Sequence, residues 1–321
     1  MEFTKLDLVS IEKPMTTAYI THHEFVQHDM GYGHPECPDR LLAISQAMTK
    51  TGLLPQLREM QATPASVEQL QRVHGHDYIQ AIHNYAPESG IVALDPDTSM
   101  CPATLSAALH AAGALVLATD KVLAGEIERA FCAVRPPGHH ATPNAAMGFC
   151  FFNNVAVGAA HALVAHGLQR VAILDFDVHH GNGTQDIFSN DQRVLFCSTH
   201  QHPHYPFTGV PIDKEHIINT PLADGAGSRE FRQAVETVWL PALDRFKPEL
   251  IYFSAGFDAH IEDPLSMLNF VDEDYPWVTQ QIVQWAKQHC SGRVISTLEG
   301  GYALQALGRS VALHVRALLE G

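Results

Sequence analysis

Short apolar runs rich in β-branched residues alternate along this chain with longer stretches whose apolar positions recur every three to four residues. The first pattern predicts buried strands and the second helices. Thr17–Thr21 reads as a first strand, and Arg40–Met48 as a helix with Leu41, Leu42, Ile44 and Met48 at helical spacing. Ser66–His74 and Asp77–Tyr85 predict further helices. Thr104–Leu123 predicts a long, alanine-rich helix, apolar on most sides and therefore buried.

The alternation sharpens from there. Ala130–Val134 predicts a strand and Asn154–His166 a helix that Gly167 can end. Val171–Phe176 and Val194–Ser198 are strands too short for helices, and Arg229–Phe246 is a helix that Pro241 kinks or splits. Leu250–Ser254, a helix over Tyr275–His289, Val294–Leu298 and a helix over Leu304–Leu319 complete the pattern. The fold class this predicts is α/β, a three-layer α/β/α arrangement around a central, mostly parallel sheet. With no repeat, low-complexity segment or linker, residues 1–321 read as a single domain.

Charge narrows the partners. Twenty Lys+Arg face 35 Asp+Glu, a net charge of −15, which argues against nucleic acid and suits a cationic substrate or solubility alone. Six cysteines form no CxxC pair and several sit in apolar runs, so they read as reduced, buried small hydrophobes. The N-terminal stretch lacks the apolar core of a signal peptide, and no unbroken apolar run approaches the ~18 residues of a membrane span. The expected location is cytoplasmic. No pattern bears on oligomeric state.

In open α/β sheets, ligands bind at the carboxyl ends of the strands. Four strand ends here carry chemistry: Arg135-Pro136-Pro137-Gly138-His139-His140, Asp175 through Gly183, Ala255-Gly256-Phe257-Asp258 and Glu299-Gly300-Gly301-Tyr302. Asp175, Asp177 and His179 are spaced by two and point to one side of an extended chain. Two of them with Asp258 make a carboxylate–carboxylate–imidazole set that suits catalytic zinc, and equally ferrous iron. Strand-end acids and histidines can also merely satisfy each other, but that must then explain four strand ends at once. Tandem His139 and His140 can transfer protons. Tyr302, after two glycines, can donate to a developing oxyanion.

These residues resemble the histone deacetylase and acetylpolyamine amidohydrolase superfamily, of arginase–deacetylase fold. The motifs that carry the resemblance are His34-Pro35-Glu36-x-Pro38-x-Arg40, Arg135 through His140, Gly148-Phe149-Cys150, Asp175-x-Asp177-Val178-His179-His180-Gly181-Asn182-Gly183, Ser254 through Asp258 and Glu299 through Tyr302. They run in order over nearly the whole chain. The resemblance implies zinc on Asp177, His179 and Asp258, with His140 as general base and His139 as its partner in protonating the leaving amine. It places Asp175 behind His139, Asn182 behind His140 (Asn, as in the class II branch) and Tyr302 on the substrate carbonyl. Gly148, Phe149, Tyr205 and Leu265 would line the acyl tunnel, and a structural potassium ion would use Asp175, Asp177, His179 and Ser198.

The implied activity is removal of acetyl groups from acyl-lysine by a metal-activated water, with acetylpolyamines as the second substrate class and longer acyl groups open. An acidic gatekeeper marks polyamine-selective members seven residues after the last zinc ligand; Leu265 stands there, with Glu262 and Asp263 close by. Met100 stands where the family carries a substrate-clamping Asp two residues before Pro102. A dinuclear manganese ureohydrolase would need a carboxylate where His260 stands, and a non-catalytic binder of acetylated ligands would lack a ligand or the tyrosine. His200, His202 and His204 read as rim or surface residues, and His22 and His23 as further rim positions.

Overall fold

In the computed structural model, which describes residues 17–321, the six apolar runs assemble with two further strands into one parallel sheet. The N-terminal stretch considered above for a signal peptide lies outside the described residues. The strands are β1 Thr17–Thr21, β2 Arg58–Gln61, β3 Val92–Ala93, β4 Ser99–Met100, β5 Arg129–Cys132, β6 Val171–Asp175, β7 Val194–Gln201, β8 Ile217–Leu222, β9 Leu250–Ala255 and β10 Val294–Leu298. The large sheet runs β2-β1-β5-β10-β9-β6-β7-β8, with every pairing parallel, while β3 and β4 form a separate antiparallel pair.

Strands β5, β6, β9 and β10 are buried at every position, so both of their faces must be apolar and period-two alternation disappears. The edges differ. β2, Arg-Glu-Met-Gln, is largely exposed, and its charges blunt an open edge against pairing with another chain. That same composition hides it from any search for apolar runs.

The helices are α1 Asp39–Lys50, α2 Val67–Leu70, α3 His76–Tyr85, α4 Thr104–Leu123, α5 Asn154–Ala165, α6 Asn182–Phe188, α7 Ser228–Ala234, α8 Leu240–Phe246, α9 Asp274–His289 and α10 Leu304–Glu320. α4 is the one helix among the described residues long and apolar enough to cross a membrane, and it is mostly buried against α5 and β5. The helix expected over Ser66–His74 shrinks to α2, started by a capping box in which Gln69 N donates to Ser66 Oγ and Ser66 N to the Gln69 side chain. Between α7 and α8 the chain makes a π-helical turn over Val235–Trp239. Pro241, which has no N–H to donate, is thus accommodated at the start of α8 by a wider turn and not by a break.

Beneath the carboxyl edge lies a buried ion network. Glu36 is paired with Arg135 and Arg40 and lies 3.3 Å from His28, with all four side chains fully buried. Arg40 then reaches across to β10, donating to the carbonyls of Glu299 (2.5 Å) and Gly301 (2.7 Å). One charged cluster therefore clamps the loops after β5 and β10 together, and removing one partner would leave buried charge uncompensated.

Candidate metal centre and active site

β5, β10, β9 and β6 are consecutive in the sheet, although they lie far apart along the chain. The four strand ends that carry chemistry are therefore four neighbours, and their loops meet over the middle of the carboxyl edge.

Asp177, His179 and Asp258 converge there, offering ligand atoms that all lie within 4.8 Å of one another. His179 Nδ1 is 3.0 Å from Asp177 Oδ1 and 3.2 Å from Asp258 Oδ2. Backbone amides hold the carboxylates: Gly300 N donates to Asp177 Oδ2 (2.8 Å), and Val178 N to Asp258 Oδ1 (2.9 Å). Asp258 Oδ2 is buried and accepts no hydrogen bond of acceptable geometry. A buried carboxylate oxygen without a donor is costly unless a cation meets it.

The surrounding backbone has no room for side chains. A Cβ on Gly256 would lie 2.0 Å from Asp177 Oδ2, and one on Gly300 would lie 2.0 Å from Asp258 Oδ2. Although burial disfavours charge on His179, the two carboxylates hold its pKa up to about 10. A cation bound at this point competes with that proton, as ligation of a neutral imidazole requires. The donor set, the orphaned oxygen and the glycine cradle together fit a divalent metal ion.

The tandem histidines have opposite preferences. His139 Nδ1 lies 3.0 Å from Asp175 Oδ2. Burial opposes its charge, but Asp175 and Asp177 hold its pKa up to about 10. Burial raises the Asp175 pKa, while the His139 imidazole beside it pulls it back down. His140 is pushed well below its ordinary value by burial and by the neighbouring His139 and His179. Its Nδ1 donates to Asn182 Oδ1 at 2.7 Å, which leaves Nε2 as the free lone pair. Glu299, bound by the amides of Gly138 (2.7 Å) and His139 (3.1 Å) and by Ser254 Oγ (3.0 Å), fixes the loop that carries both histidines.

A cavity of about 220 Å³ opens onto these groups. Buried His139, His140, His179 and Gly300 line its inner part, and half-buried Phe149, Tyr205, Leu265 and Tyr302 its walls. The Phe149 and Tyr302 rings meet edge-to-face at 5.9 Å, and Arg40 lies 5.0 Å over the Tyr302 ring. Gly148 also lines the cavity; at φ +55° its missing Cβ would strike the His140 ring at 2.4 Å, so the wall can approach that closely only with glycine. Ser198, expected beside potassium, is paired in register with Asp175, and its Oγ lies 2.9 Å from His200 Nδ1.

Three expectations need correction. His200 is not at the rim: it is fully buried on β7, with Nε2 donating to the Gly209 carbonyl (3.0 Å). His204 does reach the cavity, where it stacks on His179 at 5.1 Å, so the alternating histidines share no common environment. His22 and His23 do not line the cavity; His22 stacks on His110 at 4.0 Å. Cys37 is only half-buried, while the other five cysteines are buried and all six are free.

Asp97 was missed. Met100 is fully buried in β4, but the turn before it presents Asp97 at the cavity mouth. Asp95 Oδ1 accepts from the amides of Asp97 (2.9 Å) and Thr98 (2.6 Å), and Thr98 Oγ1 in turn accepts from Phe149 N (3.1 Å). The signal was the turn-forming Asp-Pro-Asp-Thr run.

Two other features carry less. Asp120, His161 and His166 also converge, but Arg72 donates to His161 Nδ1 at 2.7 Å, which makes His161 Nε2 a donor to Asp120 and not a ligand. An open depression of about 960 Å³ around Lys214 and Arg245 lies at the amino ends of β7 and β8, away from these strand ends.

The histone deacetylase domain matches residues 34–318. A probable deacetylase of Archaeoglobus fulgidus is 36% identical over 315 residues, covering 96% of this chain and 87% of the relative. The polyamine deacetylase HDAC10 of Mus musculus is 36% identical, covering 95% of this chain but only 48% of that longer protein. Among solved structures, the crystal structure of an HDA15 HD domain superposes with a TM-score of 0.90 at 33% identity, covering 96% of this chain and 89% of that one. The chain belongs to the histone deacetylase family, a family of deacetylases and related amidohydrolases, and its architecture is the arginase–deacetylase fold.

Proposed function

We propose that this chain hydrolyses the acyl amide of acyl-lysine, using one zinc ion held by Asp177, His179 and Asp258. The observation that carries this reading is the convergence of those three groups, with Asp258 Oδ2 buried and without a hydrogen bond, beside two histidines of opposite charge preference. Bound there, zinc supplies a Lewis acid for the carbonyl and lowers the pKa of water to about 7.

The chain's own groups do the rest. Neutral His140 takes a proton at Nε2 from the attacking water, with Asn182 holding the tautomer. His139, charged against Asp175, supplies the proton that the leaving amine needs. Tyr302 donates to the oxygen on which charge develops. Phe149 and Tyr205 hold the apolar stem of the acyl-lysine and keep water from it. A structural potassium ion at Asp175, Asp177, His179 and Ser198 belongs to the same reading, supported by the β6–β7 register.

Leu265 on the wall favours a lysine side chain over a polyamine, since that wall position offers a second amine no carboxylate; Asp97 at the mouth offers an acceptor to the backbone N–H groups of a peptide. Acetylpolyamines remain the second reading, favoured by the similarity to a polyamine deacetylase. Turnover of an acetyl-lysine peptide and of N-acetylspermidine, measured side by side on chelator-stripped and zinc-reloaded enzyme, decides between them. Zinc-restored cleavage with the peptide preferred supports the proposal. Preference for the polyamine overturns the substrate choice, and acetate release from neither overturns the activity.

A further inference from the structure

The loop that carries Tyr302 has an anchor outside the groups so far assigned. Asp263 is 6% exposed and accepts three backbone hydrogen bonds. Its Oδ2 takes those of Tyr302 N (2.7 Å) and Ala303 N (3.0 Å), and its Oδ1 that of Leu265 N (3.0 Å). The Asp263 amide is itself tied to the His260 carbonyl at 2.8 Å, two residues beyond the candidate ligand Asp258. One short, rigid side chain therefore joins the loop after β9, the cavity wall at Leu265 and the tyrosine loop after β10.

Tyr302 needs such an anchor. Gly301, just before it, sits at φ +119°, a conformation L side chains rarely adopt, so the turn that delivers the tyrosine is sharp and depends on glycine. On the other side of the loop Arg40 holds the Gly301 carbonyl at 2.7 Å and covers the ring. The Tyr302 backbone is thus gripped between Arg40 and Asp263.

We infer that Asp263 is a positioning residue: it sets the distance of the Tyr302 hydroxyl from the substrate carbonyl and couples that distance to the wall at Leu265. The inference rests on the proposed function of Tyr302. The competing role is purely structural, because Ala303 and Tyr302 lead into α10, and a carboxylate on their amides also caps that helix.

A double-mutant cycle separates the two. In Asp263→Asn one edge of the carboxylate becomes an NH₂ group, which faces an N–H it cannot accept from. We expect kcat on the acetyl-lysine peptide to fall about 10- to 100-fold, the scale of a 1 Å misplacement, with KM moved less than about 3-fold. Tyr302→Phe alone should cost about 10²- to 10³-fold, and adding Asp263→Asn to it should cost no more than about 3-fold further. Equal losses in both backgrounds, or wild-type kcat in Asp263→Asn, would overturn the inference. Where the amide variant does not keep the wild-type melting temperature, Asp263→Ser, smaller and still an acceptor, takes its place in the cycle. Failure of both to fold would also overturn it, marking Asp263 as a cap on which α10 depends. Wild-type turnover by Tyr302→Phe would be a different failure, that of the reading beneath.

Discussion

Asn182→Asp tests how His140 is kept neutral. Asn182 Oδ1 accepts from His140 Nδ1 at 2.7 Å, inside a site where burial, His139 and His179 already push the His140 pKa well below its ordinary value. A carboxylate there puts a full negative charge roughly 4 Å from the centre of the imidazolium, worth about 4 kcal/mol at an effective dielectric of 20. At 1.36 kcal/mol per pKa unit that is roughly three units, and burial of the new carboxylate takes back part of it. The net expectation is a rise of about one to two units. As general base His140 works neutral, so activity is lost as the pH falls through its pKa, and a higher pKa moves that loss to higher pH. The assay is kcat/KM for the acetyl-lysine peptide from about pH 5 to 10, in wild type and variant. The acid limb of the variant should lie at higher pH by about one to two units, with the optimum narrowed. A limb that stays in place, or moves down, would refute the assignment of His140 as the base held by Asn182.

Three more outcomes follow from the same geometry. Gly300→Ala drives a Cβ to 2.0 Å from Asp258 Oδ2 and 2.6 Å from Asp177 Oδ2, so zinc affinity should drop at least about tenfold in chelator competition; unchanged affinity would count against the ligand set. Glu36→Gln removes the one charge that Arg40 and Arg135 share, and denaturant unfolding should show a loss of about 3–5 kcal/mol. A change under about 1 kcal/mol would mean the network is not what clamps the two loops. Leu265→Glu puts an acid on the cavity wall and should raise kcat/KM for N-acetylspermidine about tenfold relative to the peptide; an unmoved ratio would remove Leu265 from the specificity argument.

Much of the sheet could be read from the chain because a strand buried on both faces is a short apolar run and little else. Thr17–Thr21 and Val294–Leu298 fall where the pattern puts them, and so does the helix Thr104–Leu123. The chemistry was legible for the same reason: each run ends abruptly in polar residues that have no business in a strand unless they serve a site. That β5, β10, β9 and β6 are neighbours could not be read, since strand order is set by which crossovers pack and not by local pattern.

Edge elements were the weak point. β2 carries too much charge to look like a strand, and α6 begins within Gly181-Asn182-Gly183, a run that reads as a turn. β7 continues three residues past the apolar run Val194–Ser198, and its polar end is buried because the loop after it folds back. His200 pairs with that loop's Gly209, and Gln201 donates to Asp224 at 2.8 Å. Histidines at alternate positions look like ligands or a wet rim; here hydrogen bonds to backbone and neighbours account for His200 entirely.

The central claim is a single metal ion on Asp177, His179 and Asp258, and titration of chelator-stripped protein with zinc tests it most directly. Calorimetry and acetate release from the acetyl-lysine peptide are followed in the same samples. The account predicts that heat and activity saturate together at one equivalent per chain, and that Asp258→Asn abolishes both. Activity that survives stripping, or that needs a second equivalent as a dinuclear centre would, contradicts it.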